Sequence, residues 1–360
     1  MQNNGYDLYW DSNISEYEID PSWRNHEVYK NPKYIEYRKK WDLVSKGKLT
    51  TEFPLNIELD ATYYCNLKCP FCPRMVNKGE KKNEHMKKEI WDAIIKESKE
   101  NKLPSMQMDH EGESMMNPNF FDMLNDATNA KIFDTWLHTN GMMLSEKNSI
   151  KLIKNGLKKL NISIDAFKEK TYKKLRIGGK FEQVKNNVLN FLKIKEQLNA
   201  SYLRVRVSFV EQEENFDEKR DFFNYWSTKK GLNTITFQRC MNLLSFDKKN
   251  PDSILSEEEI EKKYKNQKPF YCHAPWETPT IEENGRITPC LKPVREHSKD
   301  FYIGDLSKGD TIKKAWNSEK MKKLREIHSK GEWYKVDMCR TCVKVTRESQ
   351  HKEFKIEKKQ

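Results

Sequence analysis

Three cysteines stand close together early in the chain, Cys65, Cys69 and Cys72, at a C-x3-C-x2-C spacing. Three thiolates on one short loop can hold three irons of a cubane iron-sulfur cluster. The fourth iron then has no protein ligand and can bind and activate a small molecule, whereas a fully ligated cluster can only carry electrons or brace the fold. A zinc knuckle or a disulfide pair are the other uses of such a loop. Both call for a fourth ligand or an even partner, and the next cysteine is Cys240.

The flanking elements must position this loop. Residues 53–60 alternate apolar with polar side chains and predict a β-strand that runs into it; residues 87–99 predict the helix that follows. The same alternation of short apolar strands and amphipathic helices continues, with strands over 105–110, 134–138, 160–166, 202–210 and 234–240. This is the pattern of βαβ units around a parallel sheet. Polar residues gather where strands hand over to loops, which is where barrels of such units do their chemistry: Glu111-Gly112-Glu113-Ser114 after the second strand, Thr139-Asn140-Gly141 after the third, Ser163 and Asp165 in the fourth. Ser163 and Asp165, two apart, are expected on the same side of the sheet, as are Arg204 and Arg206 in the fifth strand. A guanidinium there could clamp a carboxylate or phosphate.

The cysteine spacing, together with six strand-helix units, resembles the radical S-adenosylmethionine (SAM) enzymes. The resemblance implies a partial (β/α)6 TIM-like barrel, and a [4Fe-4S] cluster on Cys65, Cys69 and Cys72 whose open iron chelates the methionine moiety of SAM. One electron then cleaves the sulfonium to methionine and a 5′-deoxyadenosyl radical, which takes a hydrogen atom from the substrate. It also implies SAM contacts. Phe71 is expected beside the adenine, Gly112 and Glu113 at the SAM ammonium, Asn140 near the ribose, and Ser163 and Asp165 at the carboxylate or ribose, with Arg206 as a further cofactor-site contact. The Glu-Gly-Glu-Ser stretch departs from the family's Gly-Gly-Glu-Pro at its first and last positions.

Beyond residue 256 the barrel pattern stops and a second group appears, Cys272, Cys290, Cys339 and Cys342. Residues 280–288 read as a hairpin around Glu283-Asn284-Gly285. This region resembles the SPASM extension of radical SAM proteins, with fewer cysteines than the full pattern. It implies a small C-terminal Fe-S domain holding an auxiliary [4Fe-4S] cluster; a four-cysteine zinc site is the alternative that spacing leaves open. The expected organisation is an extension packing on the barrel (1–52), the barrel (53–255), the auxiliary domain (256–346) and a charged tail (347–360).

Cys240 belongs to neither group. At the end of the sixth strand it is expected at the barrel mouth, where a thiol could return a hydrogen atom to a substrate radical; a small buried apolar role is the alternative. The resemblance to radical SAM epimerases then implies stereoinversion of a carbon of a carbohydrate or other small polar metabolite, phosphorylated or nucleotide-linked substrates included. An alcohol dehydrogenase, a ribosomal-peptide maturase and a non-catalytic zinc protein that binds RNA are the rival readings. A flavodoxin- or ferredoxin-type electron donor is the implied partner.

Composition narrows these. An apolar fraction of 36% with 17 Phe, 15 Tyr and 9 Trp suffices for a real core. The net charge of +12 comes from lysines spread among glutamates, the pattern of solvated helices, so nucleic acid is a disfavoured partner. No window approaches the roughly 18 apolar residues of a membrane span, and the first residues carry no apolar signal. With seven of eight cysteines in two ligand-like groups, a reducing, cytoplasmic setting is expected.

Overall fold

The computed structural model describes residues 14–76, 84–240, 258, 262, 272–291 and 301–339. Cys342, the 347–360 tail and the first tyrosines and tryptophan of the extension (Tyr6, Tyr9, Trp10) lie outside the described residues.

One sheet organises the chain, in the order β1-β7-β6-β5-β4-β3-β2-β8-β9-β10. Its centre is six parallel strands in sequence order: β2 (Asn56–Leu59), β3 (Ser105–Gln107), β4 (Asp134–Thr139), β5 (Lys159–Ser163), β6 (Arg204–Glu211) and β7 (Thr234–Arg239). Helices that connect them include α2 (Lys88–Glu100), α3 (Phe120–Asn129), α4 (Glu146–Lys154), α5 (Glu169–Leu175), α6 (Phe181–Gln197) and α7 (Lys219–Trp226). This is the expected partial barrel, a sheet that does not close.

Local sequence explains the elements. In α2 the apolar Ile90, Trp91 and Ile94 fall on one stripe and are buried, while its lysines face solvent. The Ser145 side chain accepts the Asn148 N–H and caps α4. Ile57, Leu59, Leu160, Ile162, Val205 and Val207 are fully buried against the helices, so the alternate side chains of the same strands are left to line the barrel interior.

Both sheet edges are extended by segments remote from the barrel in sequence. Upstream, β1 (Ile14–Glu18) pairs antiparallel with β7, a strand the composition of the extension does not announce. The helix α1 (Pro32–Ser45) starts with Pro32 behind an Asn31 cap and buries Tyr34, Tyr37 and Trp41. These rings form a cluster with Trp23, Tyr29, Leu55 and Trp276, so the extension packs on the body. Downstream, β8 (Thr280–Ile281) lies parallel to β2 and turns through the expected hairpin into β9 (Arg286–Thr288), which pairs with β10 (Gly304–Asp305). The C-terminal region therefore continues the barrel sheet and is braced by α8 (Ala274–Glu277), α9 (Ile312–Trp316) and α10 (Glu319–Ser329).

Candidate active site

The cysteine loop is gripped by the segments that follow β3 and β4 and by the turn between α5 and α6. After β3, the Glu113 N–H donates to Tyr64 O at 2.8 Å. After β4, Asn140 Nδ2 donates to Asn66 Oδ1 at 2.7 Å. Between α5 and α6, Ile177 O accepts the Lys68 N–H of the loop at 2.8 Å. Gly112 is forced by this contact: a Cβ there would stand 1.9 Å from Thr62 O and 2.8 Å from Tyr64 O. The family-like motifs thus have a first duty inside the protein, which is to shape the loop.

The loop opens onto a cleft lined by the three cysteines together with Phe71, Gly112, Glu113, Asn140 and Ser163, all expected there, and by Arg74, Asp109, His110, His138 and Arg176, which were not. Ser163 keeps its expected place and accepts the Ser208 hydroxyl at 3.3 Å. Asp165 departs from expectation. The backbone leaves the strand conformation there, with φ of 61°, so the two-residue alternation does not carry through to it. Fully buried, it accepts the Val210 N–H at 2.8 Å and pairs with Arg176, outside the cleft lining.

Arg176 is the residue this pairing delivers to the site. Its guanidinium donates to Cys69 Sγ at 3.6 Å and lies 5.5 Å from the Phe71 ring centroid. Burial opposes its charge, but the neighbouring Asp165 and Cys69 hold it firmly protonated. The only sequence signal is its place before Ile177-Gly178-Gly179; Gly178 has φ of 93°, and a Cβ there would meet Asn66 O at 3.0 Å.

Glu113 is 3% exposed. Its two oxygens accept the Thr139 hydroxyl at 2.8 Å and the Asn140 N–H at 2.9 Å, linking the loops after β3 and β4. Burial nevertheless pushes its carboxyl up to about 7. Because the folded protein holds this proton more tightly than the unfolded chain, the contribution is favourable at low pH and is lost as pH rises toward 7. The stability of Glu113→Gln minus that of the wild type should therefore increase between about pH 5 and about pH 8 in urea titrations. A difference that stays constant with pH would show the carboxyl to be ordinary.

Arg206 is not among the residues that line this cleft; it contacts His138, which is. His138 Nδ1 lies 3.0 Å from Asp109 Oδ2, while its Nε2 faces Arg206 Nη2 at 3.1 Å and Asn161 Nδ2 at 2.9 Å. Guanidinium groups only donate, so this network assigns Nε2 as the acceptor and Nδ1–H as the donor to Asp109. Glu16 of β1 closes the chain of charges, 2.6 Å from Arg204 and 3.7 Å from Arg206. The cleft is also lined by the half-buried His110; desolvation opposes its charge, but Glu58 and Asp60 raise it to about 10, a standing cation among carboxylates.

The donor set suits a cluster. All three cysteines line the one cleft, and burial raises all three thiols, Cys72 up to about 11. Asn140 Nδ2 at 3.9 Å from Cys65 Sγ and Arg176 at Cys69 offer N–H groups to two of them. A single tetrahedral zinc would draw its sulfurs to about 3.8 Å apart; among the described residues no three cysteine sulfurs lie within 4.8 Å of one another.

Cys240 follows β7, half-buried, its N–H donating to Glu211 O at 3.2 Å. It does not line the cysteine cleft. Burial pushes its thiol up to about 11, with Asp165 and Glu214 adding to the shift. In the C-terminal region Cys272 precedes α8, Cys290 follows β9 and Cys339 packs near α10; all three are half-buried. Arg325 of α10 donates to Pro275 O at 2.9 Å, tying the Cys272 side of this region to the helix that faces Cys339.

A family model of the radical SAM superfamily matches residues 60–199, and one of the SPASM iron-sulfur cluster-binding domain matches residues 272–343. The chain carries a radical SAM domain followed by a SPASM domain. SAM and [4Fe-4S] clusters, one of them auxiliary, are the cofactors that accompany these domains. The chain is 30% identical over 133 residues to a probable GTP 3′,8-cyclase of Methanococcus maripaludis (strain C5), which covers 37% of this chain and 44% of that protein. It thus spans less than half the length of that relative. It is 28% identical over 317 residues to the GTP 3′,8-cyclase of Clostridium botulinum (strain Hall), covering 78% of this chain and 96% of that one. Among solved structures, anSMEcpe with bound AdoMet superposes with a TM-score of 0.55 at 16% identity, covering 83% of this chain and 92% of that chain, a likeness of fold. No helix among the described residues is long and apolar enough to cross a membrane.

Proposed function

We propose that this radical SAM enzyme epimerises a carbon centre of a carbohydrate or another small polar, phosphorylated or nucleotide-linked metabolite, with Cys240 returning the hydrogen atom. Cys65, Cys69 and Cys72 hold the site-differentiated cluster, and Cys272, Cys290, Cys339 and Cys342 hold the auxiliary one. SAM bound at the first cluster supplies a 5′-deoxyadenosyl radical when one electron arrives from a flavodoxin- or ferredoxin-type donor. Phe71, Gly112, Glu113, Asn140 and Ser163 shape its seat. Asp165 contributes by orienting Arg176, and Arg206 by orienting His138.

The observation that carries the reading is the state of Cys240. A hydrogen-atom donor must be S–H rather than thiolate, and burial holds this thiol protonated far above neutral pH at the end of the last barrel strand. The S–H bond gives its hydrogen atom to the substrate carbon, and one electron with one proton restores the thiol. Relatives named GTP 3′,8-cyclases support a nucleotide-linked substrate, and the partly exposed His138, flanked by Arg206, supports an oxygen-rich one.

The test is a panel of sugars, sugar phosphates and sugar nucleotides incubated in D2O with SAM, reductant and the anaerobically reconstituted enzyme. One deuterium is expected on an inverted carbon. Cys240→Ala should still form 5′-deoxyadenosine but lose most of the label, on the order of a tenfold effect or more for a positioned transfer group. A carbonyl product formed in step with 5′-deoxyadenosine, unlabelled and unaffected by Cys240→Ala, would identify a dehydrogenase instead.

A further inference from the structure

His328, on α10, is 2% exposed, and its Nε2 lies 3.3 Å from Cys339 Sγ. Its Nδ1 is buried and has no hydrogen-bond partner among the described residues. The cluster around Cys339 is apolar, with Trp316, Met321 and Leu324 packed beside it. A buried imidazole against one sulfur, with its other nitrogen unmatched, has two chemical explanations. As a metal ligand, Nε2 would be bare and the proton would sit on Nδ1, yet ligating histidines almost always donate that N–H to a second group. Here it would be an orphaned buried donor, a state that folded proteins avoid because its desolvation goes uncompensated. With the proton on Nε2, the N–H points at sulfur and only a lone pair is left unmatched.

We propose that His328 donates an Nε2–H hydrogen bond to the Cys339 sulfur and thereby sets the reduction potential of the auxiliary cluster. This rests on Cys339 being a cluster ligand. Reduction adds negative charge that spreads onto the cysteine sulfurs, so a fixed donor in a low-dielectric setting favours the reduced state. The first cluster site uses the same device, with Arg176 on Cys69 and Asn140 on Cys65. The difference is charge: a guanidinium serves the SAM-cleaving site and a neutral-capable imidazole the auxiliary one. His328 is accordingly a positioning residue for electron transfer, with no contact to substrate required.

The experiment isolates the auxiliary cluster in the full-length chain carrying Cys65→Ala, Cys69→Ala and Cys72→Ala, reconstituted anaerobically and titrated with dithionite under electron paramagnetic resonance. His328→Leu should retain the iron and sulfide content but show about tenfold less reduced cluster at a fixed potential, equivalent to about 59 mV for one electron. His328→Gln, which can place an amide N–H near the sulfur, should recover most of that difference. An unchanged potential in His328→Leu would overturn the proposal. So would loss of iron together with loss of a strong nitrogen hyperfine coupling, which would make His328 a ligand. Full iron content after adding Cys339→Ala would remove the ligand assignment on which the proposal stands, and overturn it on that separate ground.

Discussion

Replacing Arg176 by Met is expected to destabilise the protein by about 3–5 kcal/mol, the cost of leaving one member of a buried ion pair without the other. Asp165 is fully buried, and Arg176 is the cation that faces it. Burial already pushes the Asp165 carboxyl up, and removing the guanidinium would push it further, so the mutant should gain stability as pH falls and the carboxyl is protonated. Urea denaturation at two pH values reads both effects. Adding Asp165→Asn, which keeps an oxygen for the Val210 N–H, should restore more than half of the lost stability because no buried charge then lacks its partner. It should not restore the donor to Cys69, so the double variant would separate fold from cluster: near-normal stability with an altered cluster spectrum. Lysine is expected to substitute poorly, since a single ammonium cannot meet Asp165 and Cys69 in the planar fork geometry that arginine provides. Equal stability of Arg176→Met and wild type would remove this account of the pair.

Gly112→Ala should have the largest effect on cluster loading of any change outside the cysteines themselves. The added Cβ meets backbone oxygens of Thr62 and Tyr64 that cannot rotate aside, so the chain leading into the cysteine loop has to move. Overpacking of a well-packed site costs about 1–3 kcal/mol, and here the strain falls on the bond between Glu113 N–H and Tyr64 O and on the Glu113 links to Thr139 and Asn140. Iron and sulfide bound at the first site after reconstitution should fall by half or more, on the order of a 1 kcal/mol redistribution between assembled and unassembled loops. Gly178→Ala, strained by its positive φ and its approach to Asn66 O, should act in the same direction from the opposite side of the loop. Full iron loading in Gly112→Ala would mean that the loop tolerates a different path.

The elements that carry regular patterns were legible from residue order. Strands such as Asn56–Leu59 and Thr234–Arg239 carry enough β-branched and apolar residues to declare themselves, and α2 shows its buried stripe directly. The β1 strand was not legible, because only two of the five residues of Ile14–Glu18 are half-buried, without a period of two, and the segment owes its conformation to the free edge of β7. Asp165 escapes the strand's two-residue alternation because it stands past the end of β5, in a left-handed turn. Asp109 and His138 read as ordinary strand residues, since nothing local distinguishes a histidine aimed into a cleft from one packed in a core.

Cys65, Cys69 and Cys72 are the part of the proposed site that residue order marks out by itself, because three candidate ligands on one loop need only local spacing to suggest a cluster with an open iron. How that loop is held was decided in three dimensions, by contacts from the ends of β3 and β4 and from the turn between α5 and α6 that lie far from it in sequence order, as between Tyr64 and Glu113. The charges around the cleft were decided there too. Arg176 meets Cys69 across 107 positions, and Arg204 and Arg206 are matched by Glu16 from the start of the chain. Spacing along a chain reports ligands that share a loop; the electrostatic setting of those ligands depends on which distant side chains the folded sheet brings beside them.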